Sequence, residues 1–320
     1  MEIMLLGVCG PSSKRKFLLL DPAYTNYIEI GKRLNIPIIT SERLLKDDGT
    51  FEEFNFSSIE DYIKLEKPSA LLVIPYDNPT GQLLKRNDLI KIASLCVKYN
   101  LWLVSDEAYR GLSFKKNYSS SSLWSLTEKE VAGITGRRIS IESSSKVWNA
   151  CGLRIGALVT DNDEFHGKAV SEYTANLCAN SIGQNMFGVL AKENEKDLKI
   201  WIEIQRDYYK KIMTNLRSGL LKSLPGLIVS FPEASIYLII DFRNITEKNF
   251  RAIDFVNFCA EKGKVYLDGD YYTLLMAPME RFYKNPSKGK TQLRLAMVES
   301  VELIERIPKV LSLLFLSYLV

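Results

Sequence analysis

Short apolar runs alternate along the first half of the chain with longer stretches whose apolar residues recur at helical spacing. The runs KFLLLD, SALLVIP, LWLVSD and RRISIES are of strand length, and most are almost continuous in Leu, Val and Ile. Strands have this composition when helices cover both faces of a parallel sheet. The stretches YTNYIEIGKRLN and RNDLIKIASLCVKYN have the periodicity of amphipathic helices. The alternation predicts an α/β fold with a mainly parallel sheet and flanking helices.

The pattern changes from about residue 181. A single long helical pattern runs from residue 185 to residue 224, and strand patterns follow in PGLIVSFPEASIYLIIDF, KVYLDGD and TQLRLAMV. Two further helices are predicted, over AIDFVNFCAEKG and over the residues after Ser300. This second half is typical of a smaller α+β unit. We therefore predict a large domain over residues 1–210 and a small C-terminal domain over residues 211–320.

Composition and charge argue against several classes of partner. The 320 residues are 46% hydrophobic and 25% charged, as in ordinary globular proteins. The formal net charge is only +4, and lysines and glutamates are interspersed, so no basic stripe is available for nucleic acid. The apolar run VLSLLFLSYLV is too short to span a bilayer and is interpreted as a packed terminal helix. We expect neither nucleic acid nor a membrane as a partner.

The cysteines and the single histidine limit the chemistry further. The five cysteines are far apart, form no CxxC pair and follow no signal sequence, which favours free thiols in a reducing cytoplasm. The one histidine, His166, lies in the polar run TDNDEFHGK, and we expect it at the surface. A histidine-rich metal site and a Ser-His-Asp triad are both disfavoured. We predict no metal ion.

Polar side chains follow each predicted strand at its carboxyl end. The segments are DPAY, NPTG, DEAY and SSSK, in chain order. Ligands bind at this edge of open α/β sheets, so we expect these groups to converge in one crevice. Each segment has an ordinary structural explanation on its own: NPTG forms a good turn, Asp106 could cap a helix and Arg154 could face solvent. The combination is much harder to explain in that way.

The combined motifs resemble those of the class I/II aminotransferase family, which consists of fold-type I pyridoxal-phosphate enzymes. DPAY, NPTG, DEAY, SSSK with GLRIG, and TQLRLAMV extend the resemblance through essentially the whole chain. The segment GDYYTLLMAPMERFYKN, which precedes TQLRLAMV, is similar to aspartate-type members. The resemblance implies the family's α/β fold, pyridoxal 5'-phosphate as the cofactor and a homodimer.

The resemblance also implies roles around the cofactor ring. Lys146 matches the lysine that binds the cofactor covalently and then moves a proton during the reaction. Asp106 matches the carboxylate that keeps the pyridine nitrogen protonated. Asn78 and Tyr109 match the donors to the ring's 3-oxygen, and Tyr24 matches the aromatic residue that stacks on the ring.

Four further residues match positions that bind anionic groups. Arg154 and Ser143 match the guanidinium and hydroxyl that hold the cofactor phosphate, and Ser145 is a weaker candidate for the same role. Arg294 matches the arginine that binds the substrate α-carboxylate. The alternative role for Arg294 is purely structural, as one partner of an ion pair between neighbouring strands.

The activity implied by the resemblance is transamination. An amino group would move between an amino acid, of which an aspartate-like one is favoured, and a 2-oxo acid. Two alternatives stay open: another fold-type I reaction such as β-elimination or decarboxylation, and a truncated, non-catalytic relative that acts as a binding or interaction protein.

The front of the sequence departs from the family pattern. Members normally carry an upstream segment with a Gly-x-Ser/Thr turn that binds the cofactor phosphate, whereas here Glu2 falls where the following helix would start. We therefore expect residues 1–10 to be loosely held and cofactor binding to be weak. We also expect apolar surface to be exposed around IYLII and LLFLSYLV.

Overall fold

The larger of two main sheets has six strands in this computed structural model, which describes residues 1–115 and 120–319. These strands are β1 (Phe17–Asp21), β2 (Ile38–Glu42), β3 (Ala70–Val73), β4 (Trp102–Asp106), β5 (Arg138–Ser143) and β6 (Gly156–Thr160). Their order is β2-β1-β3-β4-β5-β6, and β6 alone runs antiparallel to its neighbour in this sheet. The predicted α/β class with a mainly parallel sheet is confirmed.

Helices separate and cover these strands, and others extend into the second half of the chain. They are α1 (Glu2–Cys9), α2 (Thr25–Arg33), α3 (Phe56–Glu66), α4 (Arg86–Lys98), α5 (Asp163–Thr174), α6 (Ser181–Gly188), α7 (Glu195–Ser223), α8 (Ala252–Glu261) and α9 (Val301–Leu319). None of the helices in the described ranges is long and apolar enough to cross a membrane.

The second sheet is antiparallel and has four strands. The strands of this half are β7 (Ile228–Val229), β8 (Tyr237–Asp241), β9 (Val265–Leu267), β10 (Asp270–Tyr272), β11 (Ala277–Pro278) and β12 (Gln292–Ala296). The sheet has the order β11-β12-β8-β7, while β9 and β10 form a separate hairpin. The C-terminal half of α7 and the inner face of α9 pack with it in one hydrophobic core.

The register of the larger sheet brings three polar loops to one edge. Val73 pairs with Ser105, and Asp106 pairs with Ile141, so the central parallel strands β3, β4 and β5 end almost level. The NPTG, DEAY and SSSK segments follow these strands and lie at this edge.

The NPTG loop is also bonded to the second sheet. The carbonyl of Gly81 accepts hydrogen bonds from the backbone nitrogens of Glu233 and Ala234, both at 2.9 Å. Ser235 Oγ donates to the carbonyl of Asp77 at 2.9 Å. Gly81 has φ +70°, and a Cβ there would lie 2.3 Å from the carbonyl oxygen of Tyr237, so only glycine permits this approach.

The single long helix predicted from residue 185 to residue 224 is wrong. Helix α6 ends at Gly188, a 3₁₀ turn spans Val189–Lys192, and α7 begins at Glu195. The break has a local cause, because the side chain of Asn194 accepts a hydrogen bond from the backbone nitrogen of Asp197 and caps a new helix.

The expectation that residues 1–10 are loosely held is also wrong. Helix α1 buries Met4 and Leu5 completely, and Val8 and Cys9 almost completely. It packs on α5 so closely that a Cβ on Gly7 would lie 2.5 Å from the ring of Phe165. Burial of one helix face against the sheet therefore holds this segment in place.

The apolar surface expected around IYLII is not exposed. Strand β8 lies between β12 and β7, and all five of its residues are buried. Helix α9 packs through Leu311, Leu314 and Phe315, and exposes Leu316 and Leu319 on its outer face. The expectation was wrong for β8 because its two neighbours and two hydrophobic clusters cover the strand.

Candidate active site

A buried carboxylate lies at the end of β4. Asp106 is 8% exposed, and its Oδ2 accepts a hydrogen bond from the hydroxyl of Tyr27 at 2.7 Å. Its Oδ1 accepts from the backbone nitrogen of Ala108 at 3.1 Å. Burial raises the pKa of Asp106, and the hydrogen bond from Tyr27 opposes that rise. The two hydrogen bonds therefore fix the orientation of the carboxylate, but they offset only part of the cost of burying its charge.

An arginine of the second sheet reaches the NPTG loop of the first. Arg294 lies on β12, and its Nη1 donates to Oδ1 of Asn78 at 2.7 Å. The guanidinium also lies over two aromatic rings, 4.3 Å from the centroid of Tyr237 and 4.8 Å from that of Phe282. Its partners are thus an amide oxygen and two ring faces rather than the acid of a cross-strand ion pair. Nε of Arg294 is buried and has no hydrogen-bond partner within the described residues.

Two phenols connect the sheets at the same place. The hydroxyls of Tyr109 and Tyr237 are 2.5 Å apart, and their rings meet edge to face at 5.6 Å. Both side chains are buried. Burial raises the pKa of Tyr109, so this phenol stays protonated and can donate a hydrogen bond.

Tyr24 joins this group through its neighbour Tyr27. Its ring meets the ring of Tyr27 edge to face at 6.2 Å, and its hydroxyl accepts a hydrogen bond from Nδ2 of Asn26 at 2.9 Å. Tyr24 is half-buried, and burial raises the pKa of its phenol, with smaller contributions from Tyr237 and from the negative charge of Asp106. An aromatic face therefore lies near the buried carboxylate.

The turn after β5 carries Lys146. Ser145 donates its backbone nitrogen to Oγ of Ser143 at 3.1 Å, which ends the strand. The next residue, Val147, packs in the same hydrophobic cluster as Tyr109 and Tyr237, and its carbonyl accepts from Nε1 of Trp201 at 2.8 Å. These contacts fix the backbone on both sides of the half-buried Lys146.

Arg154 is placed differently from the other predicted residues. It is exposed, has φ 56°, and donates through Nη1 to the carbonyl of Cys151 at 2.9 Å. The structure thus brings Tyr24, Asn78, Asp106, Tyr109 and Arg294 together. It puts Ser143 at the end of β5, and Ser145 and Lys146 on the turn that follows. It leaves the guanidinium of Arg154 at the surface, bonded to its own turn.

A comparison of the sequence with known families gives one match that covers most of the chain. Residues 3–306 match the family described as aminotransferase class I and II. The chain belongs to this family. The predicted resemblance is thereby confirmed.

The similar aminotransferase-family sequences have several names. A probable aspartate/prephenate aminotransferase of Aquifex aeolicus is 27% identical over 203 residues, which cover 62% of this chain and 49% of the relative. A cystathionine beta-lyase of Bacillus subtilis is 28% identical over 226 residues, which cover 69% of this chain and 55% of the relative. The chain thus spans about half the length of these curated relatives.

Solved structures agree on the fold of the aminotransferase family. Cystalysin from Treponema denticola, whose structure contains pyridoxal 5'-phosphate, matches with a TM-score of 0.81 at 19% identity; the match covers 99% of this chain and 74% of cystalysin. N-succinyldiaminopimelate aminotransferase from Mycobacterium tuberculosis matches with a TM-score of 0.80 at 20% identity, covering 98% and 74% of the two chains. These likenesses establish the architecture of the family.

Tyr237, which links two predicted site residues of this aminotransferase-family chain, was not predicted from the sequence. It lies in the apolar run IYLII, which was predicted as part of a strand and given no role in the site. The pairing of β12 with β8 sets Arg294 opposite Ile239, so Tyr237 is a diagonal neighbour of Arg294 on the same face. A phenol two positions from the strand partner of Arg294 is the signal that would have identified it.

Proposed function

We propose that this chain catalyses pyridoxal-phosphate-dependent transfer of an amino group between an aspartate-like amino acid and a 2-oxo acid. The observation that carries the proposal is the bond from Arg294 to Asn78 beside the buried Asp106 and Tyr109. A carboxylate-binding arginine, a buried acid and two hydrogen-bonding groups converge there from two sheets. That combination suits amino-acid chemistry on this cofactor, in which an acid partners the pyridine nitrogen.

The buried groups have the chemistry that the cofactor ring needs. Asp106, an acid in a buried setting, fits a protonated ring nitrogen, because a positive charge there would offset the cost of keeping the carboxylate ionised. Tyr109 and Asn78 offer donors for the ring oxygen, and Tyr24 offers an aromatic face. When bound, the cofactor withdraws electrons from the substrate Cα. Ser143, Ser145 and Arg154 remain the proposed phosphate ligands.

Lys146 is proposed to hold the cofactor covalently through Nζ and, once released, to carry the proton from the substrate Cα. A side-chain amine can do both only if its backbone is fixed, and the contacts of Val147 with Trp201 and with the hydrophobic cluster supply that rigidity. Its Nζ would remove the proton from Cα and return it on the cofactor side.

Arg294 is proposed to bind the substrate α-carboxylate. Its planar guanidinium can bind a carboxylate with two parallel hydrogen bonds. The rings of Tyr237 and Phe282 restrict its rotation, and its Nε has a donor that no described residue uses. A substrate carboxylate would accept a hydrogen bond from that donor. Because the two rings already hold the guanidinium, the arginine is oriented before the substrate arrives.

An aspartate-like substrate is favoured because several relatives are named aspartate aminotransferases, at 24% to 26% identity in Pyrococcus horikoshii and Sulfolobus acidocaldarius. The second candidate is β-elimination. It is favoured by the relative named cystathionine beta-lyase and by the structural likeness to cystalysin. The large domain (residues 1–210) would bear the cofactor and the small domain (residues 211–320) would supply Arg294.

The proposal is tested by assaying the purified chain with added pyridoxal phosphate in two reactions. Aspartate with 2-oxoglutarate should give oxaloacetate, whereas cystathionine should give little pyruvate. Pyruvate without amino transfer would identify the β-elimination candidate instead. Cofactor binding with neither product would leave the non-catalytic binding protein as the function.

We predict separate roles for the two parts of Tyr237. Its hydroxyl is expected to orient the hydroxyl of Tyr109 through their hydrogen bond, and its ring is expected to hold the guanidinium of Arg294 in position. Tyr237→Phe removes the 2.5 Å contact with Tyr109 but keeps the ring beneath the guanidinium. We expect kcat to fall about 5- to 10-fold, as for one lost buried hydrogen bond, with KM nearly unchanged. Tyr237→Leu should raise KM as well. Steady-state kinetics separate the two effects, and a rise in KM for Tyr237→Phe would contradict this division.

A homodimer is proposed from the exposed apolar side chains that follow α5. Between residues 177 and 204, Leu177, Ile182, Met186, Val189 and Ile204 are each at least half exposed. Such a concentration is unusual on the surface of a monomer. Light scattering should give twice the chain mass, and a single-chain mass would contradict the proposal.

The cytoplasm remains the proposed location. The five cysteines are all free in the structure, and Cys9, Cys96 and Cys259 are buried. Unpaired thiols are what a protein in a reducing compartment is expected to have. Fractionation of the source cells would test this, and recovery outside the cytoplasm would contradict it.

A further inference from the structure

A cavity of about 450 Å³ lies beside the NPTG loop, between the segment after β2 and the connection from β3 to α4. Its lining includes Arg43, Phe51, Phe54, Asp77 and Lys85. Among the described residues, none that is assigned above to the cofactor or to the substrate lines it. Its volume is in the range of small-molecule sites in proteins.

The cavity contains an arginine whose hydrogen-bonding capacity is largely unused. The guanidinium of Arg43 stacks on Phe54 at 4.0 Å from the ring centroid, and its Nε is buried without a partner among the described residues. Nη2 is 4.0 Å from Oδ2 of Asp77, which is too far for a hydrogen bond. An arginine stays charged when it is buried, so a buried N–H donor without an acceptor costs folding free energy.

Three of the neighbouring acids, Asp77, Glu53 and Glu233, have partners other than Arg43. The hydroxyl of Thr80 donates to Asp77. Glu53 pairs with Lys85 at 2.7 Å, and Glu233 pairs with Lys115 at 2.6 Å. Arg43 thus has only the 4.0 Å ion pair with Asp77, and its Nε has no acceptor among the described residues, so an acceptor from outside the chain fits it.

We propose that this cavity binds a small monocarboxylate with a flat apolar body. The carboxylate would take the free donors of Arg43. The body would pack on the floor and walls formed by Leu20, Phe51, Leu83 and Leu84. A phosphate dianion fits less well, because Glu52, Glu53 and Asp88 also line the cavity and would repel its larger charge. This carboxylate site is separate from the one proposed at Arg294 and does not depend on amino transfer.

The test is calorimetric titration of the full chain, with pyridoxal phosphate added, using benzoate as the probe. Benzamide, which has the same shape without the charge, and inorganic phosphate serve as comparison ligands. Benzoate should bind, benzamide should bind at least about tenfold more weakly, and phosphate should not compete with benzoate. Phosphate binding in place of benzoate would overturn the proposal.

Substitutions assign the binding to this cavity. Arg43→Met should weaken benzoate binding about 10- to 100-fold, and Arg43→Lys should weaken it less. Arg217→Met is the matched control, because Arg217 also stacks on a phenylalanine, at 3.7 Å from the centroid of Phe231, but donates to the carbonyl of Val229 and does not line the cavity. That variant should bind benzoate as the unaltered chain does.

Arg294→Lys distinguishes the two carboxylate sites. If benzoate binding is lost in Arg294→Lys and kept in Arg43→Met, the cavity proposal is wrong while the proposed function stands. If the binding is lost in Arg43→Met and kept in Arg294→Lys, the cavity is the site, whatever the outcome of the amino-transfer assay. Arg43→Lys retains the charge, so it serves as the folded variant if Arg43→Met fails to fold in a thermal melt.

Discussion

Lys146→Ala is expected to abolish the borohydride-reducible adduct between the chain and pyridoxal phosphate, together with any amino transfer. Among the residues that the structure describes, no other lysine follows β5 on a turn that is tied to the cluster containing Tyr109. Alanine has no amine to bond the cofactor or carry a proton. The measurement is peptide mapping by mass spectrometry after reduction. The modified peptide of the unaltered chain should contain Lys146.

Mapping is necessary because exposed lysines also react with an aldehyde. Lys264→Ala removes an exposed lysine that lies between α8 and β9, and it should leave both the adduct and the activity intact. An adduct of equal yield in Lys146→Ala, mapped to another buried or half-buried lysine, would show that the cofactor lysine has been assigned wrongly.

Asp106→Asn should lower kcat for amino transfer about 10²- to 10³-fold, the usual loss when a charge aimed at the reacting system is removed from a buried site. Asparagine has nearly the same shape and can still bond Tyr27 and the backbone of Ala108, so the fold should survive. Rates are compared in single turnovers with the cofactor in excess, which separates chemistry from cofactor binding.

Tyr27→Phe is the matched control for Asp106→Asn. It deletes the 2.7 Å hydrogen bond to the carboxylate but keeps the negative charge. Its rate should fall much less, about tenfold at most. Equal losses in the two variants would mean that the arrangement of the buried cluster, rather than the charge of Asp106, supports the reaction.

The edge of the large sheet could be predicted from sequence because its signals are local. Strands β3 and β4 are mainly apolar runs, β5 alternates apolar and polar residues, and the polar segments that follow them had to emerge where the strands end. The hydrogen bond between Arg294 and Asn78 was harder to predict from the sequence. It depends on how the second sheet packs on the first, which no local pattern encodes.

Two residues show which features of the site could not be predicted from the sequence, for physical reasons. Tyr237 was predicted only as part of a strand, because a phenol in a buried strand has the same pattern as any other large apolar residue. Arg154 stays a predicted phosphate ligand, but its exposed position after the 3₁₀ turn Cys151–Leu153, in a left-handed conformation, was not predicted. Backbone conformation of that kind depends on the turn and leaves no signal in hydrophobic spacing.

The bonds between the NPTG loop and the second sheet have a consequence for how the protein is made. Asn78 and Arg294 are 216 positions apart in the chain, and Asp77 and Ser235 are 158 apart. When the chain has emerged from the ribosome up to Ser143, all the strands that end at the polar edge are present. The residues of the second sheet that form hydrogen bonds with the NPTG loop have not yet been synthesised. Contacts of such long range form late and slowly. In nascent chains arrested before residue 233, β3 and β4 should therefore resist protease, while the NPTG loop should be cleaved at Asn78 or Gly81. This loop should become resistant only after β12 has emerged.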